Sequence, residues 1–471
     1  MISKYKYFLV LFLFFNQKIS VFAMYDRQCP IEFDSEKLLK EMDTKSFIKE
    51  QKKLNLPKSK IKSESIDIPV NKTLKELTGV NSYIDLKEIF SGEKSALIEL
   101  TKTVLDLSTK NEIAFLNIKD NWVDPDSYIN LDWENLKDAD FDYIKKGFIT
   151  ESDKVIILGD LHGNFEAFDQ IIKDLINKNI LGQDLILQKD YQIIALGDYV
   201  DRGLNSLNIV LTLMILRIIN GESVIFLKGN HEDAQAITQE DYDFSDELNK
   251  KLGQNAQNFY NFFKLLPVAY FAKNSKAQLF MFNHGGWSSN LIKVEDFFKS
   301  DKYFKKINQF LARALCWNDT NYASKNREEI RISLRGSNIY EIPYQIVLCG
   351  MIKLGIAAKF NGHMHMEPKG NPKTDEYEDL IYYPSPGFVS KNSVTDENTK
   401  IYTLISGAIE IYNKNKVKVD SETLNYFPSY LILNFNKFGY CVSGYYKKYD
   451  NNYFTKTEVR SWDNCWEYRF F

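Results

Sequence analysis

The stretch Val155-Ile156-Ile157-Leu158-Gly159-Asp160-Leu161-His162-Gly163-Asn164 (VIILGDLHGN) joins four consecutive apolar residues to a polar, glycine-rich phrase. A short continuous apolar run that ends in glycine reads as a strand buried on both faces, with a loop at its carboxyl end. The pattern returns at Ile193-Ile194-Ala195-Leu196 before Gly197-Asp198, and at Val224-Ile225-Phe226-Leu227 before Gly229-Asn230-His231. Helix-spaced segments, Phe165 to Ile176 and Leu204 to Ile219, separate the three runs. Strand, helix, strand, helix, strand implies parallel pairing through right-handed crossovers, so the three polar phrases share one edge. A fourth run, Leu279 to Phe282, ends at Asn283-His284, and Ile356 to Ala358 leads into Gly362-His363. In such sheets ligands gather at the carboxyl ends of strands.

The histidines give this edge its chemistry. The chain of 471 residues has five, and all lie in these phrases: His162, His231, His284, His363 and His365. Mixed oxygen and nitrogen donors suit divalent transition metals such as Mn, Fe or Zn, whereas an all-oxygen set suits Mg or Ca. There are too many donors for one ion. Asp160 and His162 on one side, Asn230 and His284 on the other, and Asp198 between them fit two ions, the arrangement that activates a bridging hydroxide for in-line attack.

The phrases GDLHGN, GDYVDRG, GNHE, HGG and GHMH resemble those of the calcineurin-like metallophosphoesterases, and specifically the phosphoprotein phosphatase (PPP) family, over roughly residues 151 to 410. The resemblance implies an α/β fold, a β-sandwich flanked by helices with the dimetal site at the strand ends. It makes Asp160, His162 and Asp198 ligands of a first metal, and Asp198, Asn230, His284 and His363 ligands of a second. Asp201-Arg202 completes GDYVDRG, Cys316-Trp317-Asn318-Asp319 resembles the family's WSD phrase, and Arg335-Gly336 resembles its second phosphate-clamping arginine. Two guanidiniums can fork onto the non-bridging oxygens of a phosphate. His231 is then the general acid rather than a ligand, oriented by Asp201. His365 departs from the phosphatase pattern and matches the wider superfamily, where a second histidine completes the first metal's shell; otherwise it only follows a ligand. The chain thus stands between the two, closer to atypical or bacterial-like phosphatases.

Composition bounds the alternatives. Apolar content of 44%, 26% charged residues and a net charge of -3 describe a globular chain with no global attraction to nucleic acid. Lys4 and Lys6, the apolar run Phe8 to Phe15 and the small residue Ala23 read as a signal peptide over 1–23, giving an exported or secreted protein without stable membrane insertion after cleavage. Residues 24–150 read as a mainly helical N-terminal region, in which Leu97, Leu100, Val104 and Leu107 form an apolar stripe expected to pack on the domain that follows, 151–471. Of five cysteines, Cys316 and Cys349 sit in apolar surroundings, while Cys441 and Cys465 could pair. The helix-forming segment after GNHED carries Glu240, Asp241, Asp243, Asp246 and Glu247, either an acidic lid that disfavours nucleotides or an acidic helix start. The C-terminal runs SYLILNF and YCVSGYY, around a turn at 436–439, are expected to finish a second sheet. The expected function is a dimetal phosphomonoesterase acting on phosphorylated protein or peptide. A nucleotide or dinucleoside polyphosphate hydrolase is the alternative, and a non-catalytic binding module on the same fold the third reading.

Overall fold

The computed structural model describes residues 72–124, 131–132, 136, 141–150, 152–233, 243–253, 256–275, 278–321, 330–333, 335–336 and 338–363, together with strand segments at 380–382, 388–392, 400–404, 411–412, 418–420, 429–436, 439–446, 455–460 and 469–470. The expected signal peptide and His365 lie outside these residues. The described residues belong to one compact unit.

In chain order the helices are α1 (Leu74–Thr78), α2 (Tyr83–Ser91), α3 (Lys94–Leu116), α4 (Phe165–Asn177), α5 (Ser206–Asn220), α6 (Phe244–Leu252), α7 (Gln257–Phe263), α8 (Glu295–Lys299), α9 (Gln309–Trp317) and α10 (Tyr344–Leu354). The strands are β1 (Asp142–Ile149), β2 (Lys154–Leu158), β3 (Tyr191–Ala195), β4 (Val224–Phe226), β5 (Ala269–Asn274), β6 (Leu279–Asn283), β7 (Phe304–Ile307), β8 (Asp319–Asn321), β9 (Arg331–Ile332), β10 (Tyr340–Pro343), β11 (Ile356–Asn361), β12 (Leu380–Tyr382), β13 (Phe388–Asn392), β14 (Lys400–Leu404), β15 (Ile411–Tyr412), β16 (Lys418–Asp420), β17 (Ser429–Asn436), β18 (Gly439–Tyr446), β19 (Thr455–Arg460) and β20 (Arg469–Phe470).

Two large sheets form the sandwich. One runs β20-β19-β18-β17-β2-β3-β4, with β2, β3 and β4 parallel as the apolar runs predict; the other runs β12-β13-β14-β11-β6-β5-β1-β7. Alternation along each strand sorts the side chains between two cores. Val155, Ile157 and Ile194 of the first sheet meet Phe280, Phe282 and Phe360 of the second, where Phe282 and Phe360 stack at 5.0 Å. Ile156, Leu158 and Ile193 face the other way, into the core built with α4 and α5. This doubly buried environment is why the runs are continuous rather than alternating.

Helix α5 is apolar nearly all round, and its residues are buried almost throughout. Helix α3 packs against it with Leu97, Leu100 and Val104 buried and Leu107 partly so, as the stripe predicts. The contact also carries charge: Arg217 Nε donates to Glu112 at 2.7 Å, and the guanidinium reaches Glu222 at 2.5 Å. Removing one partner of such a buried pair strands the other charge, at a cost of about 3–5 kcal/mol.

Three expectations need revision. The boundary drawn at residue 150 cuts through the fold, because β1 lies inside the eight-stranded sheet, parallel to β5 and antiparallel to β7. Its sequence, with Lys145 and Lys146 in the strand, hides that role: both lysines are buried and reach Glu222 and backbone carbonyls. The C-terminal hairpin β17–β18 does not build a second sheet; β17 pairs with β2 and so extends the sheet that carries VIILGDLHGN. The acidic segment is a helix start rather than a lid, within the described residues. Asp243 caps α6 by accepting from Asp246 N–H, and Glu247 is fully buried, accepting from Ser206 and Leu207 N–H at the head of α5. Glu240 and Asp241 lie outside the described residues.

Candidate active site

The glycine phrases meet at the carboxyl ends of β2, β3, β4, β6 and β11, where Asp160, His162, Asp198, Asn230, His231, His284 and His363 are all buried. The backbone that delivers them is unusual. His162, Asp198, Asp201, Arg202 and His363 have φ between 42° and 67°, a left-handed region that side chains other than glycine occupy at a cost of about 1–3 kcal/mol each. Close approach adds a steric demand: a Cβ on Gly362 would lie 2.0 Å from Asp160 Oδ1.

Asp198 stands between two groups. On one side its Oδ2 is 3.4 Å from His162 Nε2, and His231 completes a set whose ligand atoms all lie within 4.8 Å of one another. On the other side Oδ2 is 3.1 Å from His284 Nε2, in a second set that includes His363. Asn230 joins this second group, its Oδ1 2.9 Å from His284 Nε2 and 2.8 Å from His363 Nδ1. Because His363 Nε2 is 2.9 Å from the Trp317 carbonyl, the proton of a neutral ring belongs on Nε2 and Nδ1 presents a lone pair. Lone pairs from Asp198, Asn230, His284 and His363 thus converge, a donor set that fits a divalent cation. Among the described residues His284 Nδ1 has no hydrogen-bond partner, although it is buried.

The electrostatics agree. Burial alone would raise the Asp198 carboxyl, yet His284, His231 and His162 hold it well below its usual range. His284 is raised despite burial, by Asp198 and Asp160. Positive charge is favoured at this point, whether carried by a proton or by a cation.

Asp160 enters neither close group. Its carboxylate accepts the His363 N–H at 3.0 Å and lies 3.7 Å from His284 Nδ1, at the back of the site. His231 is held differently from the other histidines. Its Nδ1 donates to Asp201 Oδ2 at 2.8 Å, and its N–H donates to Asp198 Oδ1 at 3.0 Å. Asp201 is braced in turn by Phe244 N–H, at 2.8 Å, from the head of α6. Arg202 lies across the mouth, its guanidinium 3.0 Å from His162 Nε2 and 3.2 Å from His231 Nε2. Arg335 is more exposed; its Nε is 3.3 Å from Asp319 and one amino group donates to the His363 carbonyl at 3.3 Å. The two guanidiniums therefore reach different histidines of the site, Arg202 the rings of His162 and His231 and Arg335 the His363 carbonyl.

Glu232 has no role in the sequence reading, although it follows His231 directly. It is buried and joins two loops through three N–H groups: Oε2 accepts from Asp198 N–H and Gly229 N–H, and Oε1 from Tyr199 N–H, each at 2.8 Å. Burial and the Asp198 carboxylate push it up to about 7, against the pull of those N–H groups. The last letter of GNHE was the available signal.

Residues 153–367 match the calcineurin-like phosphoesterase family model. A probable serine/threonine-protein phosphatase of Encephalitozoon cuniculi is 29% identical over 174 residues, 36% of this chain and 34% of that protein. The chain thus spans about a third of that relative's length. Among solved structures, a protein serine/threonine phosphatase of Saccharomyces cerevisiae aligns at 17% identity with a TM-score of 0.44, covering 73% of this chain and 91% of its own. A cold-active protein-tyrosine phosphatase of a psychrophilic Shewanella aligns at 15% identity with a TM-score of 0.35, covering 67% and 82% respectively. The family match falls on the segment that carries every described site residue, and it is this segment that is similar to calcineurin-like phosphoesterases.

Proposed function

We propose that this chain is a metal-dependent phosphomonoesterase whose substrate is phosphorylated protein. The observation that carries the reading is the single Asp198 carboxylate set between the His162 and His284–His363 groups, with the His231–Asp201 pair beside it. Asp198 and His162 would hold one divalent ion, with Asp160 the further ligand that the motif resemblance implies, and Asp198, Asn230, His284 and His363 a second, with Mn, Fe or Zn suited to these donors. Two such ions, when bound, supply charge neutralisation and an acidified water.

The chain's own residues do the rest. Arg202 and Arg335 orient the phosphate through paired N–H donors. Asp201 fixes His231 with Nδ1 engaged, so that Nε2 faces the mouth and hands its proton to the leaving oxygen, worth about 10²- to 10⁴-fold in rate. Phe244 N–H keeps Asp201 in place while this happens.

Similarity to a probable serine/threonine-protein phosphatase supports protein as the substrate. The alternative, a nucleotide or dinucleoside polyphosphate, gains from the commitment of Asp243 and Glu247, two of the five acidic residues, to α6 and α5. Turnover measured side by side on phosphoserine and phosphothreonine peptides, nucleoside triphosphates and dinucleoside tetraphosphates decides between them. The proposal expects kcat/KM highest on a peptide; a clear preference for a nucleotide overturns it. The chain is further proposed to be exported through residues 1–23, which N-terminal sequencing of the mature protein tests, with Met24 expected as the first residue.

A further inference from the structure

Lys359 lies within the apolar run of β11, and it is fully buried. Ala358 and Phe360 enter the core between the sheets, so alternation puts Lys359 and Asn361 on the opposite face. There Lys359 Nζ donates to the Gly285 carbonyl at 3.0 Å and to Asn361 Oδ1 at 2.7 Å. Asn283, equally buried, donates to the carbonyls of Gly285, Gly286 and Leu315 at 2.8, 3.0 and 2.8 Å. Asn361 Nδ2 donates to Gly362 O at 3.0 Å.

No carboxylate is among the hydrogen-bond partners of Lys359 in the described residues, and burial holds its amine well below the usual range. The two acceptors engage two of its N–H groups. An apolar side chain would fill this strand position without the desolvation penalty of a polar group. What the amine does is therefore found in what it joins. Gly285 follows His284 and Gly362 precedes His363, and the two imidazoles come within 3.2 Å at His284 Nε2 and His363 Nδ1. Beside these imidazoles, Gly285 O accepts from Lys359 and Asn283, and Gly362 O accepts from Asn361.

We propose that Lys359 is a positioning residue that, with Asn283 and Asn361, ties the His284–Gly286 turn to the Gly362–His363 turn and so sets the affinity of the second metal site. The inference rests on the two-metal reading given above. Partners that orient metal ligands typically contribute about 10- to 100-fold in metal affinity.

The test is Mn²⁺ titration of the metal-stripped full chain by calorimetry, with electron paramagnetic resonance reporting the spin-coupled pair. Lys359→Met removes both donors while keeping the apolar stem. It should weaken the second ion about 10- to 100-fold and leave the first unchanged. Lys359→Gln keeps an N–H donor and should lose less. Asn361→Leu removes the shared acceptor, and combined with Lys359→Met it should fall short of the sum of the single effects, because both break one link. If Lys359→Met does not fold, Lys359→Gln and Asn361→Leu carry the same test. Second-ion affinity equal to the native protein, or equal weakening of both ions, overturns the inference. A native protein that binds fewer than two ions overturns the two-metal reading itself, so the two failures are distinguishable.

Discussion

The His231 corner and the His284–His363 corner share Asp198 but are built on different plans. His231 is held by charge: a carboxylate on Nδ1, a guanidinium facing Nε2, and left-handed backbone at Asp201 and Arg202 that aims both. His284 and His363 share the Asp198 carboxylate but add neutral partners, the Asn230 amide and the Trp317 carbonyl, and their turns rest on buried Asn and Lys side chains. A proton donor needs one ring nitrogen anchored so that the other is aimed, whereas a metal ligand needs its lone pair free and its direction fixed. The two corners therefore suit two tasks, proton transfer and metal binding, within one site.

Separating the tasks by substitution sharpens this contrast. His231→Asn should retain both ions while losing about 10²- to 10⁴-fold in kcat on alkyl phosphates, and far less on p-nitrophenyl phosphate, whose leaving group needs no proton. Equal losses on both esters, read from steady-state kinetics, would place His231 among the ligands and erase the distinction between corners.

Glu232 offers a smaller effect that spans both corners. Glu232→Gln turns an amide N–H toward one of the backbone N–H groups now accepted, shifting Asp198 and costing about 10- to 100-fold in kcat/KM. It should also change the pH dependence of stability. A carboxyl raised from 4.5 to about 7 in the folded protein stabilises it fully below 4.5, and the contribution is lost as pH rises toward 7. Denaturant unfolding of metal-free protein between these values should show falling stability with rising pH, and the Gln variant should lack that part of the slope.

What was legible in the sequence follows the same division. The strand runs and glycine phrases place β2, β3, β4, β6 and β11 and the ligands at their ends, because doubly buried strands and strand-end loops are local patterns. The resemblance carries Asp201 and His231 into one motif pair, and the structure brings them within 2.8 Å. Long-range support left weaker traces. Phe244 acts on Asp201 through its backbone N–H, which no side chain advertises. Strand β1 looks too charged for a sheet interior until Glu222 and the carbonyls of Phe297 and Ser300 receive its lysines. The role of Asp243 as a helix cap and the burial of Glu247 were not separable from an acidic lid by composition alone. Lys359 was a visible anomaly, a lysine inside an apolar run, but its meaning depends on Gly285, which lies on the neighbouring strand's loop.

The central claim is that one carboxylate joins two metal sites. Metal content per chain, measured by mass spectrometry after Mn²⁺ loading and removal of free ion, tests it most directly on the native protein and on Asp198→Asn. The account predicts two ions in the native protein, and loss of at least one with both affinities lowered in the variant, since each group loses its shared ligand. Two ions retained by Asp198→Asn at native affinity, or a single ion in the native protein, would contradict it.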